Sequence, residues 1–237
     1  MIYLTGDTHG KRDMQKLLSD RNTKHIGSDD YLVILGDFGA IWYGDDRDKN
    51  ILDWYDARPY TTLFVDGNHE NFNVIKTYPV VNMFGGKVQR VSEKVFHLMR
   101  GEIYNIEGQS IFVMGGGLSI DKQWRVEGVS WWSDEIPSQD EFKYAEANLK
   151  KHDFKVDYIF SHCCSTEDQD AIFWRNGMRP FKYADKLTQW FSYIKPSLTY
   201  KHWYFGHYHL DDVLDEKHTC LYEEIIKLGD NWCKTEE

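Results

Sequence analysis

The chain has 237 residues, a mass of 28.1 kDa and a formal net charge of -10 at pH 7. This length predicts one domain over residues 1–237, with enough chain to bury a sizeable core. Hydrophobic residues at 41% and charged residues at 28% are typical of a folded protein and exclude a disordered chain. The acidic charge argues against a surface for extended nucleic acid, because such surfaces cluster Lys and Arg.

Neither export nor membrane insertion is expected. The opening segment MIYLTGDTHGKRD lacks the basic start and apolar run of a secretory signal, and no stretch approaches the roughly 20 apolar residues that span a bilayer. The four cysteines have neither C-x-x-C spacing nor the density of a disulfide scaffold. We interpret the adjacent Cys163 and Cys164 as inert buried thiols. A reduced, cytoplasmic setting follows as the expectation.

Short apolar runs that end in glycine and polar residues predict strands. In chain order they are MIYL before Gly6-Asp7, YLVIL before Gly36-Asp37, TLFV before Asp66-Gly67-Asn68, SIFVM before Gly115-Gly116-Gly117, VDYIF before Ser161-His162, and HWYF before Gly206-His207. Their shortness and their β-branched and aromatic residues favour buried strands, although periodicity alone leaves short helices as an alternative.

Helical patterns lie between these runs. In YADKLTQWFSYIK the apolar residues recur at i, i+3, i+4 and i+7 and define one helical face: Leu187, Trp190, Phe191 and Ile194. Ser138 and Glu141 have the spacing of a capping box before a further apolar stripe. Another helix is predicted over residues 48–57, and one more begins near Lys11. Strands that alternate with helices predict an α/β layered fold.

The polar residues that follow the predicted strands share one position in the fold. If every strand ends on the same side of a sheet, these side chains converge on one crevice: Asp7, His9, Asp37, Asn68, His69, His162, His207 and His209. Carboxylate, amide and imidazole groups are donors that Mn, Fe or Zn accept, and a carboxylate can bridge two ions. The sequence therefore predicts a metal site at the strand ends.

The same residues form blocks that resemble the signature of the calcineurin-like metallophosphoesterases, namely D-x-H, G-D, G-N-H-[DE], H and G-H-x-H. In this chain the blocks stand in that order as Gly6-Asp7-Thr8-His9-Gly10, Gly36-Asp37, Gly67-Asn68-His69-Glu70, His162, and Gly206-His207-Tyr208-His209. The resemblance implies the family fold, a four-layer α/β/β/α sandwich with two facing mixed β-sheets. It also implies a metal site at the carboxyl ends of the strands.

The resemblance further implies two divalent metal ions, with Mn as the first choice and Fe, Zn or Ni as alternatives. The implied ligands divide between the ions as follows: Asp7, His9 and His209 for the first, Asn68, His162 and His207 for the second, and Asp37 as the bridge. Two such ions lower the pKa of a bound water and neutralise phosphoryl oxygens. The expected reaction is therefore hydrolysis of a phosphomonoester or phosphodiester by metal-bound hydroxide.

Further residues receive roles in this expected reaction. His69 lies beside a ligand but is not itself one of the implied metal ligands. It is therefore the candidate general acid for the leaving alkoxide. Asn68 could also donate a hydrogen bond to the phosphoryl group, and Asp37 completes the predicted catalytic set. Lys122 and Arg125 follow a predicted strand and are candidate substrate-binding cations. A solvated loop is the alternative for these two.

The substrate has more than one interpretation. The protein Ser/Thr phosphatase branch carries G-D-x-V-D-R-G, whereas Asp37 is followed here by Phe38-Gly39-Ala40-Ile41, which disfavours that branch. Local similarity to lariat RNA debranching enzymes occurs at Gly36-Asp37-Phe38, Gly67-Asn68-His69-Glu70 and Gly116-Gly117-Leu118-Ser119. It favours small or exposed phosphoesters that include nucleotides and nucleic-acid ends. A noncatalytic binding module is the third hypothesis.

Overall fold

The computed structural model describes residues 1–179, 184–230 and 232. Its strands in chain order are β1 (Ile2–Thr5), β2 (Tyr31–Leu35), β3 (Thr61–Val65), β4 (Val80–Met83), β5 (Gly86–Arg90), β6 (Val95–Leu98), β7 (Ile103–Ile106), β8 (Gln109–Met114), β9 (Tyr158–Ser161), β10 (His202–Phe205), β11 (Asp212–Asp215), β12 (His218–Cys220) and β13 (Ile226–Lys227). Its α-helices are α1 (Gln15–Leu18), α2 (Asp20–Thr23), α3 (Asp46–Asp56), α4 (Phe72–Ile75), α5 (Gln139–Lys151), α6 (Thr166–Arg175) and α7 (Lys186–Ile194). Short 3₁₀ helices cover Lys122–Trp124, Ser133–Glu135 and Lys195–Ser197.

The strands form two mixed sheets. The first has the order β13-β1-β2-β3-β6-β5-β4, and the second has the order β11-β12-β10-β9-β8-β7. Strands β1, β2, β3 and β6 run parallel in the first sheet, as do β8, β9, β10 and β12 in the second. All six predicted strands belong to these parallel centres, so within each sheet their carboxyl ends lie at one edge.

Alternate residues of the central strands face opposite layers. In β2, Val33 and Leu35 pack in the core between the two sheets, whereas Leu32 and Ile34 pack against the helices outside the first sheet. Helices α1, α3 and α4 cover that outer face, and α5, α6 and α7 cover the outer face of the second sheet. The order of layers is therefore α/β/β/α, as the family resemblance implies. Burial on both faces explains why the central strands are continuous apolar runs.

Two of the predicted helices are confirmed together with their starts. Ser138 and Glu141 form the capping box of α5, in which the Ser138 N–H donates to the Glu141 carboxylate at 2.7 Å. Helix α7 buries all four residues of its predicted face, and the Asp185 carboxylate caps it by accepting the Leu187 N–H at 2.7 Å. Both helices thus begin where a side chain satisfies free backbone N–H groups.

Helix starts in the first half of the chain differ from the prediction. Helix α3 begins at Asp46, two residues before the predicted start at residue 48, because the Asp45 side chain accepts the Arg47 N–H and caps the helix there. The prediction of a helix start near Lys11 is wrong, since α1 begins at Gln15. Residues 10–13 form a turn instead, in which the Arg12 N–H donates to the His9 carbonyl at 3.2 Å.

The described helices and cysteines agree with two further expectations. Among the described residues, no helix is both long enough and apolar enough to cross a bilayer. Cys163, Cys164 and Cys220 are free and buried. Burial raises the pKa of the Cys163 and Cys164 thiols well above their usual value, which disfavours the reactive thiolate form.

A buried charge network joins the end of β3 to its surroundings. The Asp66 carboxylate accepts hydrogen bonds from the Arg100 guanidinium at 2.7 Å and the His97 ring at 2.9 Å. Arg100 also donates to the Asp134 carbonyl at 2.9 Å, which ties β3 to the segment before α5. Burial would raise the pKa of Asp66, but Arg100 and His97 outweigh it and lower that pKa to about 2.

Replacing this carboxylate should destabilise the protein in a pH-dependent way. We expect Asp66→Asn to lower the free energy of unfolding at pH 7 by about 3–5 kcal/mol, because it leaves the buried Arg100 charge uncompensated. The folded-state pKa is depressed, so this stabilisation is complete above the unfolded pKa of about 4 and disappears as pH falls towards 2.

Urea denaturation from pH 7 to pH 2 measures this difference. Asp140→Asn is the matched control, because the Asp140 side chain is 94% exposed. A difference between wild type and Asp66→Asn that stays constant with pH would contradict the assignment.

Candidate metal centre

The carboxyl ends of parallel strands from both sheets meet at one site. The residues predicted from the sequence follow these strands in turn: Asp7 and His9 after β1, Asp37 after β2, Asn68 and His69 after β3, His162 after β9, and His207 and His209 after β10. The two sheets therefore contribute side chains to the same crevice, as the sequence predicts.

One cluster lies on the side of the first sheet. Asp7, His9 and His209 each place one potential ligand atom within 4.8 Å of the others. The Asp7 Oδ2 atom lies 3.1 Å from His209 Nε2. His9 Nε2 lies 3.1 Å from Asp37 Oδ2, so one oxygen of Asp37 faces this cluster. These atoms could hold a single ion.

A second cluster lies beside it. His162 Nε2 lies 3.3 Å from Asp37 Oδ1, 3.2 Å from Asn68 Oδ1 and 3.2 Å from His207 Nδ1. Asp7, Asp37 and His162 also each place one potential ligand atom within 4.8 Å of the others. Asp37 thus directs one oxygen towards each cluster, which is the position that a bridging carboxylate requires.

Residues outside the predicted set orient three of these side chains. His162 Nδ1 lies 2.9 Å from the Leu35 carbonyl, which can only accept, so Nδ1 carries a proton and Nε2 faces the site. The Asn68 amide nitrogen donates to Ser119 Oγ at 3.2 Å, which turns Asn68 Oδ1 inward. The Asp13 carboxylate holds His9 Nδ1.

Sequence reasoning missed Asp13 and Ser119 as orienting residues. Asp13 stands four residues after His9, and that spacing was the available signal. Ser119 ends the Gly116-Gly117-Leu118-Ser119 segment, which follows a predicted strand in the same way as the ligands do. Neither signal identifies a hydrogen-bond partner without the sheet register.

The backbone of the site is held in an unfavourable conformation at four candidate ligands. His9, Asp37, His207 and His209 have φ angles of 43°, 47°, 73° and 52°. Left-handed backbone is uncommon in residues other than glycine and concentrates at functional sites. The His9 N–H donates to the Asp37 carbonyl at 2.8 Å, and the His207 N–H donates to Asp7 Oδ1 at 2.9 Å. These bonds fix the loops in place.

Glycines let the backbone pass close to the ligands. A Cβ atom at Gly67 would lie 2.1 Å from Asp37 Oδ1. At Gly36, where φ is +94°, a Cβ atom would lie 2.0 Å from His162 Nδ1. No side chain fits at either position without displacing a candidate ligand, which explains the glycine of the G-D and G-N-H blocks.

Buried charges dominate the electrostatics of the site. Burial alone would lower the pKa of His162, but the carboxylates of Asp37 and Asp7 outweigh it and raise that pKa to about 10. Burial and the neighbouring His162 lower the pKa of His207 to about 3. Burial would raise the pKa of Asp37, but His162 and His9 lower it well below its usual range. The carboxylates therefore stay ionised, and positive charge near them stabilises the site.

The site has the chemistry expected of a divalent metal centre. Asp7 Oδ2 is buried and receives no hydrogen bond from any described group, although His209 lies near it. An unsatisfied buried carboxylate oxygen is costly unless a cation or a donor binds it. Two carboxylates, one amide oxygen and several imidazoles suit Mn, Fe or Zn. The residues present therefore fit divalent metal ions.

His69 and Arg125 lie together at the mouth of the site. The His69 N–H donates to Asp37 Oδ1 at 2.7 Å, and its ring lies 5.1 Å from the His9 ring. The Arg125 guanidinium nitrogens lie 3.2 Å and 3.4 Å from the two ring nitrogens of His69. Burial lowers the pKa of His69, and Arg125 acts in the same direction while Asp37 opposes both.

The other predicted substrate-binding residue lies farther away. Lys122 is exposed, and its ammonium group lies 5.5 Å from the centre of the Trp131 ring. It does not border either of the two cavities that adjoin the metal site in the described residues. Arg125 borders both cavities. The structure therefore brings Arg125, and not Lys122, to the site.

Comparison with protein families agrees with this geometry. The model of the calcineurin-like phosphoesterase family matches residues 1–221. A search of curated proteins found no match. The matched region contains both sheets apart from strand β13 and all eight converging residues. With its four layers and its carboxylate and histidine clusters, the chain belongs to the calcineurin-like phosphoesterase family.

Proposed function

We propose that this protein hydrolyses phosphoesters, with phosphodiesters included, at a centre of two divalent cations of which Mn is the first choice. The observation that carries the proposal is the position of Asp37, whose two oxygens face two separate ligand clusters. Bound cations would lower the pKa of water and neutralise phosphoryl oxygens. Family membership supports a phosphoester as the substrate.

The proposed ligands divide as the family resemblance implies. Asp7, His9 and His209 would hold one ion, Asn68, His162 and His207 the other, and Asp37 both. The distances support this division, because His9 of the first set lies beside Asp37 Oδ2 and His162 of the second set lies beside Asp37 Oδ1. We also propose that residues 1–237 act as one domain, since both sheets supply ligands. The free buried thiols favour a cytoplasmic setting.

His69 would deliver a proton to the leaving oxygen. Its ring is half-buried at the mouth of the site and borders both adjoining cavities, so it can reach an ester oxygen on either side. Arg125 would hold a phosphoryl oxygen through charge-assisted hydrogen bonds, which its planar guanidinium suits.

The first test is turnover of p-nitrophenyl phosphate and bis(p-nitrophenyl) phosphate by metal-stripped protein reloaded with Mn. We expect metal-dependent hydrolysis, and the ratio of the two rates measures the preference for diester over monoester. Asp37→Asn should lower kcat by roughly a thousandfold or more, because metal stabilisation is worth several kcal/mol. Asp140→Asn is the exposed control. Bound Mn without any turnover would favour the noncatalytic binding module.

The second test separates proton donation from metal binding. His69→Ala should lower kcat for esters with poor alkoxide leaving groups by about 10²–10⁴-fold. Hydrolysis of nitrophenyl esters should fall far less, since nitrophenolate leaves without a proton. His152→Ala, at an exposed histidine outside the site, is the control. Equal losses for both classes of ester would count against the acid role.

The third test concerns the orientation of Asn68. Ser119→Ala removes the acceptor that turns the Asn68 amide, and we expect the affinity for Mn to fall by about tenfold. Calorimetric titration of metal-stripped protein measures the affinity, and the control is Ser197→Ala at an exposed serine. An unchanged affinity would show that Ser119 does not orient the ligand.

A further inference from the structure

Two spaces with differently charged linings meet at the metal centre. A groove of about 750 Å³ extends from His9 and His209; the cations along it are Lys11, Arg12, Arg47 and Arg125, and its one carboxylate among the described residues is that of Asp13, which holds His9. We call this space the basic groove. A cavity of about 310 Å³ extends from Asn68 and His207, and it is bordered by the carboxylates of Asp121 and Asp185 and by Arg125, whose guanidinium pairs with Asp121 at 2.7 Å. We call this space the acidic cavity.

Lys11 and Arg12 are the informative cations of the basic groove. They directly follow the candidate ligand His9 and its neighbour Gly10, and the turn between Arg12 and His9 fixes their backbone. Within residues 1–179 and 184–230, no carboxylate forms an ion pair with either side chain. Both side chains are exposed, so they are available to bind an anionic ligand in the groove.

An aromatic surface lies in the same groove. The Arg47 guanidinium stacks on the Tyr43 ring at 3.4 Å from its centre, and the Asp45 carboxylate holds that guanidinium in place. Tyr43 is 52% exposed. Trp42 borders the groove beside it and packs edge-on against the buried Trp132. In an open groove, aromatic rings can stack on nucleotide bases and neighbouring cations can bind the phosphates.

From this arrangement we propose that the substrate is the end of a single nucleic-acid strand. The proposal rests on the proposed phosphodiesterase function. The scissile phosphate lies at the metal centre, the next phosphate contacts Lys11 and Arg12, and a base lies against Tyr43. The terminal nucleoside occupies the acidic cavity, because a phosphate there would face Asp121 and Asp185. The net charge of -10 limits the contact to a short stretch of the strand.

The reaction is a hydrolysis that balances with water alone. The water oxygen bonds to the scissile phosphorus while the bond from phosphorus to the oxygen of the terminal nucleoside breaks. The released oxygen takes a proton and leaves as a nucleoside hydroxyl. The shortened strand keeps the phosphate.

The kinetics of Mn-loaded protein test whether a second phosphate of the substrate contributes to its recognition. The substrates are the dinucleotide TpT, which has one phosphate, and the trinucleotide TpTpT, which has two. We expect kcat/KM for TpTpT to exceed that for TpT by about tenfold, since each cation contributes up to about fivefold at an exposed site. The double variant Lys11→Gln/Arg12→Gln should bring this ratio close to one. Equal rates for the two substrates in the wild type would overturn the proposal.

The double variant Arg90→Gln/Lys143→Gln is the matched control, because both residues are exposed and border neither the basic groove nor the acidic cavity. It should keep the wild-type ratio. A ratio that survives in Lys11→Gln/Arg12→Gln would overturn the proposal, as would preferential cleavage of a dinucleoside polyphosphate over TpTpT. Hydrolysis of bis(p-nitrophenyl) phosphate serves as the separate measure of the proposed function.

A binding measurement without turnover distinguishes failure of the strand-binding proposal from failure of the proposed phosphodiesterase function. Fluorescence anisotropy of a labelled tetrathymidylate with EDTA-treated protein reports on the basic groove even if no ester is hydrolysed. The slope of log K against log salt should shrink by about 0.7 for each of the two cations removed. An unchanged slope would overturn the basic groove as a strand-binding site, whether or not small esters are hydrolysed.

Discussion

The carboxylate of Asp37 is the contact through which the two sheets share one site. Its Oδ2 atom faces His9 at 3.1 Å, and its Oδ1 atom accepts the His69 N–H at 2.7 Å and faces His162 at 3.3 Å. His9 and His69 follow strands of the first sheet, whereas His162 follows a strand of the second. The Asp37 carboxylate therefore joins loops of both sheets and both candidate ligand clusters.

A second buried acidic residue, Glu70, holds the turn that contains Asp37. The left-handed backbone of Asp37 is followed by Phe38 and Gly39, whose N–H groups donate to the Glu70 carboxylate at 2.7 Å and 3.3 Å. Glu70 is fully buried, and burial together with Asp37 raises its pKa well above the usual value. The turns after β2 and β3 thus fix each other. The acidic residue of the Gly67-Asn68-His69-Glu70 block therefore has a structural role at the turn after β2.

The sequence predicted the features that depend on local pattern. The six central strands were recognisable because burial on both faces makes them continuously apolar, and the eight converging residues followed from the strand ends. Edge strands such as β4 and β11 escaped prediction, because their side chains are exposed or half-buried and polar residues limit their apolar runs. Contacts such as Arg125 with His69, or Arg100 with Asp66, join residues far apart in the chain. Which cation reaches which partner depends on sheet packing, so Lys122 and Arg125 were indistinguishable from the sequence.

The metal clusters and the position of Arg125 depend on different parts of the fold. The clusters are fixed by strand ends and by hydrogen bonds between the loops of both sheets. Arg125 lies instead in a segment that is held mainly by its own contacts, in which its guanidinium donates to the Asp121 carboxylate at 2.7 Å and the Ser130 carbonyl at 3.3 Å. Exposed apolar side chains at Ile120 and Trp124 flank this segment. Substitutions there can redirect Arg125 while the buried carboxylates keep their positions. The contacts that place Arg125 are thereby separate from those that place the candidate metal ligands.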